Sequence, residues 1–261
     1  MKKLHLVRNY LAYRFRSVNE HGVHSPFVFE LLLGVVYNRK KYYAYKDLEK
    51  LRSDLLLSAE MVNCNDLGAG SLTLRSNPKT VRDIARSAAK PPKYAELLFR
   101  LVNHFQPSFI LELGTSIGIS AAYMASANSK SMLITVEGCD EVAEIAKKNF
   151  RKLGLNNIEQ LKGNFDQLLP EILKKTDRLD FVFFDGNHRK EPTLNYFKQC
   201  LEKAVETSIF LFDDIYWSAE MTEAWEEIKQ NEKVTVSLDL FYMGIVFFRK
   251  EQVKQHFTIK Y

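Results

Sequence analysis

The sequence predicts an α/β fold: a mostly parallel sheet of seven strands that ends in an antiparallel β-hairpin, preceded by a helical N-terminal region. Three observations carry this reading. After Pro91-Pro92, short apolar runs alternate with segments of helical spacing. Those runs are nearly continuous in Val, Ile, Leu and Phe, the pattern of strands buried on both faces. The last two runs have no helix-length segment between them, so a tight connection must make them antiparallel.

The elements follow in order. Residues 1–90 form the helical N-terminal region and residues 91–261 the α/β domain. Leu4 to Arg16 is short and mixed. Ser25-Pro26 reads as an N-cap with proline at the first helical position, where its missing N–H costs nothing. Phe27, Leu31 and Val35 give that helix its apolar face, and Tyr45 to Met61 is helical too. Asp66-Leu67-Gly68-Ala69-Gly70-Ser71 must be a turn or loop. Within the α/β domain, strands are expected at Ser108 to Leu113, Met132 to Val136, Asn157 to Leu161, Leu179 to Phe184 and Ser208 to Phe212. Helices alternate with them at Tyr94 to His104, Ile117 to Asn128, Asp140 to Leu153, Phe165 to Lys174, Pro192 to Val205 and Ala219 to Gln230. Val234 to Leu238 and Gly244 to Phe248 are the closing hairpin.

Composition narrows the class. The chain has 261 residues, 46% hydrophobic and 26% charged, enough to bury a core. Its longest apolar stretch, Phe27 to Val36, is interrupted by Glu30 and falls short of the about 20 residues that span a bilayer. No membrane partner, no secretion signal and a cytoplasmic location are therefore expected. The net charge of +5 is mild and dispersed, so no clear nucleic-acid partner is implied. Cys64, Cys139 and Cys200 lack metal-like spacing and suit reduced thiols. Oligomeric state is not legible.

Candidate site residues sit where strands end. Leu111-Glu112-Leu113-Gly114-Thr115-Ser116-Ile117-Gly118-Ile119-Ser120 occupies the first strand-to-helix turn, the place to look for a nucleotide-like ligand in such folds. Gly114 lets the chain turn sharply, and Gly118 allows close helix packing. Free N–H groups at the helix start suit a carboxylate. At the end of the second strand, Glu137 is followed by Gly138, and a carboxylate there can accept both hydroxyls of a ribose. Gly163-Asn164-Phe165-Asp166 ends the third strand, where a helix cap explains Asn164 as well as a ligand does. Asp185 follows the fourth strand and Asp213-Asp214 the fifth. Three carboxylates crowding one rim raise one another's pKa unless a cation relieves them, and hard oxygen ligands suit Mg²⁺ or Ca²⁺. His188, three positions past Asp185, is a candidate general base. Tyr216 and Trp217 follow the same rim, where aromatic walls hold flat substrates. Trp225 falls inside a helix and reads as packing.

The glycine segment resembles the acidic-x-Gly-x-x-x-Gly motif of class I S-adenosylmethionine (SAM)-dependent methyltransferases, over about residues 91–250. The resemblance implies a Rossmann-like sheet and SAM as cofactor. Glu112 would then bind the amino group, with Thr115, Ser116 and Ser120 beside the methionine end. Glu137 and Gly138 would hold the ribose, Asn164 and Phe165 the adenine. The acidic residues resemble those of metal-dependent O-methyltransferases of the catechol and caffeoyl-CoA type, which implies Asp185, Asp213 and Asp214 as ligands of Mg²⁺ or another divalent cation. Asp185 counts among the cofactor-binding and catalytic residues as well, with His188. Asp214 stands where the catechol enzymes carry Asn. The first 90 residues, including His24-Ser25-Pro26-Phe27, resemble the N-terminal region of Bacteroidetes-type methyltransferases. The implied reaction is methyl transfer to a hydroxyl of a small molecule. A non-catalytic SAM-binding or assembly protein is the alternative. An NAD-dependent oxidoreductase fits less well, since Ser116 stands where its second glycine is needed.

Overall fold

The computed structural model describes residues 2–63 and 78–261. The loop expected at Asp66 to Ser71, and Cys64, lie outside the described residues. In chain order the helices are α1 (Lys2–Arg16), α2 (Pro26–Leu31), α3 (Tyr45–Leu57), α4 (Val81–Ala88), α5 (Pro92–Phe105), α6 (Ile119–Ala127), α7 (Asp140–Lys152), α8 (Phe165–Lys174), α9 (Lys190–Leu201) and α10 (Ala219–Gln230). The strands are β1 (Met61–Val62), β2 (Lys79–Thr80), β3 (Phe109–Leu113), β4 (Met132–Glu137), β5 (Ile158–Lys162), β6 (Leu179–Phe184), β7 (Ala204–Asp213), β8 (Val236–Asp239), β9 (Met243–Phe247) and β10 (Gln255–Thr258). Among the described residues, no helix is long and apolar enough to cross a membrane.

Two compact units emerge, residues 39–171 in one and residues 1–38 with 172–261 in the other. They divide the chain elsewhere than at residue 90, where the sequence changes character.

In the unit of residues 39–171, β3, β4 and β5 pair in parallel, with Leu113 opposite Val136 and Glu137 opposite Lys162. That register brings the glycine turn after β3 beside the carboxylate that ends β4. Every residue of α6 from Ile119 to Ala125 is buried, which its small side chains permit. Acidic Asp140 and Glu141 open α7, and basic Arg151 and Lys152 close it, complementing the helix dipole. Thr80 and Asp83 form a reciprocal capping box that starts α4.

In the other unit, β6 and β7 pair in parallel, with Phe184 opposite Phe212, so Asp185 and Asp213 leave the sheet side by side. All six residues of β6 are buried. Phe184 and Phe212 stack with ring centroids 4.6 Å apart. Strand β9 runs antiparallel to both β7 and β8, the hairpin the sequence predicts. Strand β10 adds to β8 in parallel, so the described sheet strands outside the short β1–β2 pair number eight, not seven. The sequence concealed this strand because Gln255-His256-Phe257-Thr258 offers a single apolar residue.

The chain ends are stitched together within that unit. Val18 N–H donates to Thr258 O at 2.9 Å, and Lys260 N–H donates to Val18 O at 2.8 Å. The buried Tyr13 hydroxyl donates to Ile259 O at 2.5 Å. Ser25 caps α2 as expected, accepting from Val28 N–H at 3.4 Å with Pro26 at the first position. The helix then runs into a π-helical turn, Leu32–Val36.

Candidate functional site

In the unit of residues 39–171, Gly114 and Thr115 both donate their N–H to Val136 O, at 3.0 and 3.1 Å, folding the loop onto the end of β4. Gly114 has φ 114° and Gly118 φ 83°, in the region that favours glycine. Gly118 also has no room for a side chain: a Cβ there would lie 2.6 Å from Phe150 of α7. Asn149, also on α7, donates its buried side-chain N–H to Ile117 O at 2.8 Å and pins the same loop.

Glu112 is fully buried in β3. A hydroxyl relay reaches it. Thr135 Oγ1 donates to Glu112 Oε2 at 2.6 Å, which leaves Thr115 Oγ1 as donor to Thr135 Oγ1 at 2.6 Å. The other oxygen, Oε1, is buried without a hydrogen-bond partner. Burial pushes the Glu112 carboxyl up to about 7, opposed by the hydroxyls of Ser120 and Thr135. Neither Thr135 nor Asn149 was singled out from sequence. Thr135 had a signal, a polar residue inside an apolar strand; Asn149 had none.

The raised carboxyl makes stability depend on pH. Below the usual Glu value of 4.5 the group is neutral in both folded and unfolded chains. Between 4.5 and about 7 the unfolded chain ionises while the folded one keeps its proton, so stability falls as pH rises. By pH 7 the loss reaches about 3 kcal/mol, at about 1.4 kcal/mol per unit. Glu112→Gln is expected to flatten this slope in denaturant titrations across that window. An unchanged slope would mean that Glu112 ionises freely.

Glu137 braces the glycine loop. Its Oε2 accepts from Ser116 N–H at 2.7 Å, and its Oε1 accepts from Cys139 N–H at 2.9 Å. A carboxylate oxygen has two lone pairs, so it can in general accept from a hydroxyl as well as from a backbone N–H. Ser116 takes φ 49° to reach it. Asn164 is exposed, and its Oδ1 accepts from Asp166 N–H at 2.9 Å, a cap for α8. Phe165 and Gly138 are half-buried, and Ser120 is buried. Cys200 is free, and burial raises its thiol pKa.

In the other unit, Asp185, His188 and Asp213 come together. Each offers one ligand atom, and the three atoms lie within 4.8 Å of one another. His188 Nε2 stands 4.0 Å from Asp185 Oδ1. Asp214 is not in this group. It takes φ 52°, and its N–H donates to Tyr242 O at 2.7 Å. The three donors are thus two carboxylates and an imidazole, where the sequence suggested three carboxylates.

Tyr216 is buried against the body of its unit. Its hydroxyl donates to Asp239 Oδ2 at 2.5 Å, and its ring stacks on Phe241. It offers no wall to a ligand; Trp217 remains half-buried. Trp225 is fully buried and fills the space over Gly244, where a Cβ would lie 2.6 Å from its ring.

Residues 111–215 match a family model described as a methyltransferase domain. The fold and the matched segment are similar to those of class I, SAM-dependent methyltransferases. Similar proteins include O-methyltransferases. A catechol O-methyltransferase of Niastella koreensis is 32% identical over 126 residues, 47% of this chain and 55% of that protein. The catechol O-methyltransferase of Bos taurus is 30% identical over 113 residues, 41% of this chain and 42% of that protein. The chain spans about half the length of these curated relatives. Among solved structures, the O-methyltransferase from Bacillus cereus in complex with SAH shares the fold, with a TM-score of 0.57 and 18% identity over 80% of this chain and 92% of that one. TomG from Streptomyces achromogenes, in complex with SAM, does so with a TM-score of 0.55 and 19% identity over 85% and 95%.

Proposed function

We propose that this protein transfers a methyl group from SAM to a hydroxyl of a small molecule, with a divalent cation holding the acceptor oxygen. The observation that carries the proposal is the grouping of Asp185, His188 and Asp213 at the ends of adjacent strands. The O-methyltransferase relatives support the choice of oxygen. Residues 91–261 are the proposed catalytic domain, with residues 1–90 appended to it, in a protein of the cytoplasm.

Both groups fit the residues present. The partnerless Oε1 of Glu112 suits an ammonium, which a buried carboxylate can pair with at short range. SAM, when bound, supplies an electrophilic methyl group on its sulfonium. Glu112 would hold the amino group, and pairing would draw its carboxyl back towards the ionised form. Thr115, Ser116 and Ser120 would border the methionine part and Gly118 keep its loop in place. Glu137 would accept the ribose hydroxyls next to Gly138, with Asn164 and Phe165 at the adenine. Asp185, His188 and Asp213 would hold the cation, with Asp214 outside the set. A bound divalent cation lowers the pKa of an acceptor hydroxyl. His188 would take the released proton at a ring nitrogen only when it does not ligate the cation, because a metal-bound neutral imidazole carries its proton on the other nitrogen. Two carboxylates with one imidazole suit Mn²⁺, or a softer cation, better than Mg²⁺.

Calorimetric titration of S-adenosylhomocysteine into the metal-stripped protein, repeated with Mg²⁺ and then Mn²⁺, tests the reading. Saturable binding supports it and opens an acceptor screen among hydroxylated aromatics. A folded protein that binds nothing in any condition sinks it, and one that binds S-adenosylhomocysteine but no divalent cation favours a non-catalytic SAM-binding protein.

Glu137→Gln is expected to weaken S-adenosylhomocysteine binding about 10- to 100-fold, the loss of charged hydrogen bonds to two hydroxyls. Glu137→Ala should lose stability too, because both oxygens brace backbone N–H groups. Unchanged affinity in the Gln variant removes Glu137 from the ribose site.

A further inference from the structure

Helix α1 carries an apolar stripe that nothing in its own unit covers. Leu4, Val7, Leu11 and Phe15 stand three and four residues apart and share one helical face. They are 75, 55, 53 and 89% exposed. The opposite face holds the helix in place. His5 bonds Thr222, Asn9 bonds His5, and Tyr13 is buried with its ring against Phe241. The exposed stripe is therefore not a frayed end looking for its core, because the core-facing side of α1 is already engaged.

Charge says what covers the stripe. By helical phase, exposed Arg8 flanks it on one side and exposed Arg14 on the other. The segment Lys2–Arg16 also includes Lys2, Lys3 and Arg16, and no Asp or Glu. A second copy seated face to face would bring like charges together, which is unfavourable. Anionic phosphates meet the same arginines favourably, and the acyl boundary below them takes the apolar side chains. At 15 residues the helix is about 22 Å long, too short to cross a bilayer and long enough to lie on one.

We propose that α1 docks this protein on the surface of an anionic lipid bilayer, with Leu4, Val7, Leu11 and Phe15 inserted and Arg8 and Arg14 against the phosphates. The inference rests on α1 alone and does not depend on the methyl-transfer reading. The sequence reading looked for a spanning segment and saw a mixed one here; the stripe is visible only once the other face is known to be buried.

The test floats the full chain with equimolar phosphatidylcholine–phosphatidylglycerol vesicles and, separately, with phosphatidylcholine alone. Binding to the anionic vesicles and not to the neutral ones is expected. Arg8→Ser and Arg14→Ser should each weaken it about fivefold. Leu11→Ser combined with Phe15→Ser leaves the charge unchanged and should weaken it at least about tenfold. Phe15→Ser alone, at the most exposed position, serves if the double variant does not fold. Full binding by these serine variants would reduce the effect to general surface charge and overturn the proposal. So would a folded wild-type protein that ignores anionic vesicles, or a dimer that Phe15→Ser dissolves.

Discussion

Asp213→Asn is expected to lower metal-dependent methyl transfer at least about a hundredfold, since even groups outside the ligand set are worth 10- to 100-fold at metal sites. The substitution keeps the shape of a buried side chain, which limits the cost to folding. It removes one of the two carboxylates that, with His188, offer donor atoms within 4.8 Å of one another. Two readouts separate this role from a structural one. Mn²⁺ binding, followed by the electron paramagnetic resonance of the free ion, should weaken in Asp213→Asn and in Asp185→Asn. S-adenosylhomocysteine affinity without metal should change less than about threefold, or under about 0.7 kcal/mol. Asp214→Asn serves as the neighbouring control, and its effect on Mn²⁺ binding should be small. Equal losses at Asp213 and Asp214 would restore the three-carboxylate set that the sequence suggested. Unchanged Mn²⁺ binding in all three variants would remove the metal from the proposed reaction.

Gly118→Ala is the second large effect. Two costs coincide at this position. The backbone holds φ 83°, which costs an L residue roughly 1–2 kcal/mol. The new methyl would also sit 2.6 Å from a ring carbon of Phe150 and 3.1 Å from Ala146, both on α7. Overpacking of that kind costs about 1–3 kcal/mol. Together they should destabilise the protein by about 3 kcal/mol and push the loop that carries Thr115 and Ser116 away from Glu137, so S-adenosylhomocysteine affinity should fall as well. Gly154→Ala isolates the first cost, because Gly154 has φ 67° and a Cβ there meets nothing within 4 Å. Denaturant unfolding of the two variants should differ by the packing cost. Equal stabilities would mean that α7 yields to the methyl, and the affinity loss would then vanish with it.

Much of the site was legible because its signals are local. Leu179 to Phe184 is a strand by its continuous apolar run, and the structure places it at those residues. Gly118 reads as a packing glycine from its place at a helix start, and Phe150 occupies the space that its missing side chain leaves. Glu112, Glu137, Asp185 and Asp213 stand out in the sequence because they follow or end strands or sit inside one, and each strand end follows from the period of its neighbours. Thr135, Asn149 and β10 escaped notice. Their roles depend on a partner elsewhere in the chain, and a lone Thr, a helical Asn and a mostly polar tetrapeptide carry no periodic signal.

By itself, then, the sequence determined the α/β class, the order of elements and the acidic strand ends, all set by short-range hydrophobic periodicity and glycine placement. The tertiary structure alone decided that a ring nitrogen of His188 lies within 4.8 Å of a carboxylate oxygen of each of Asp185 and Asp213, since the chain must fold to bring them together. It also decided that Tyr13 and Val18 are tied to Ile259 and Lys260. Such contacts join residues some 246 positions apart, a separation at which no local pattern records the partner and only the free energy of the packed whole selects it.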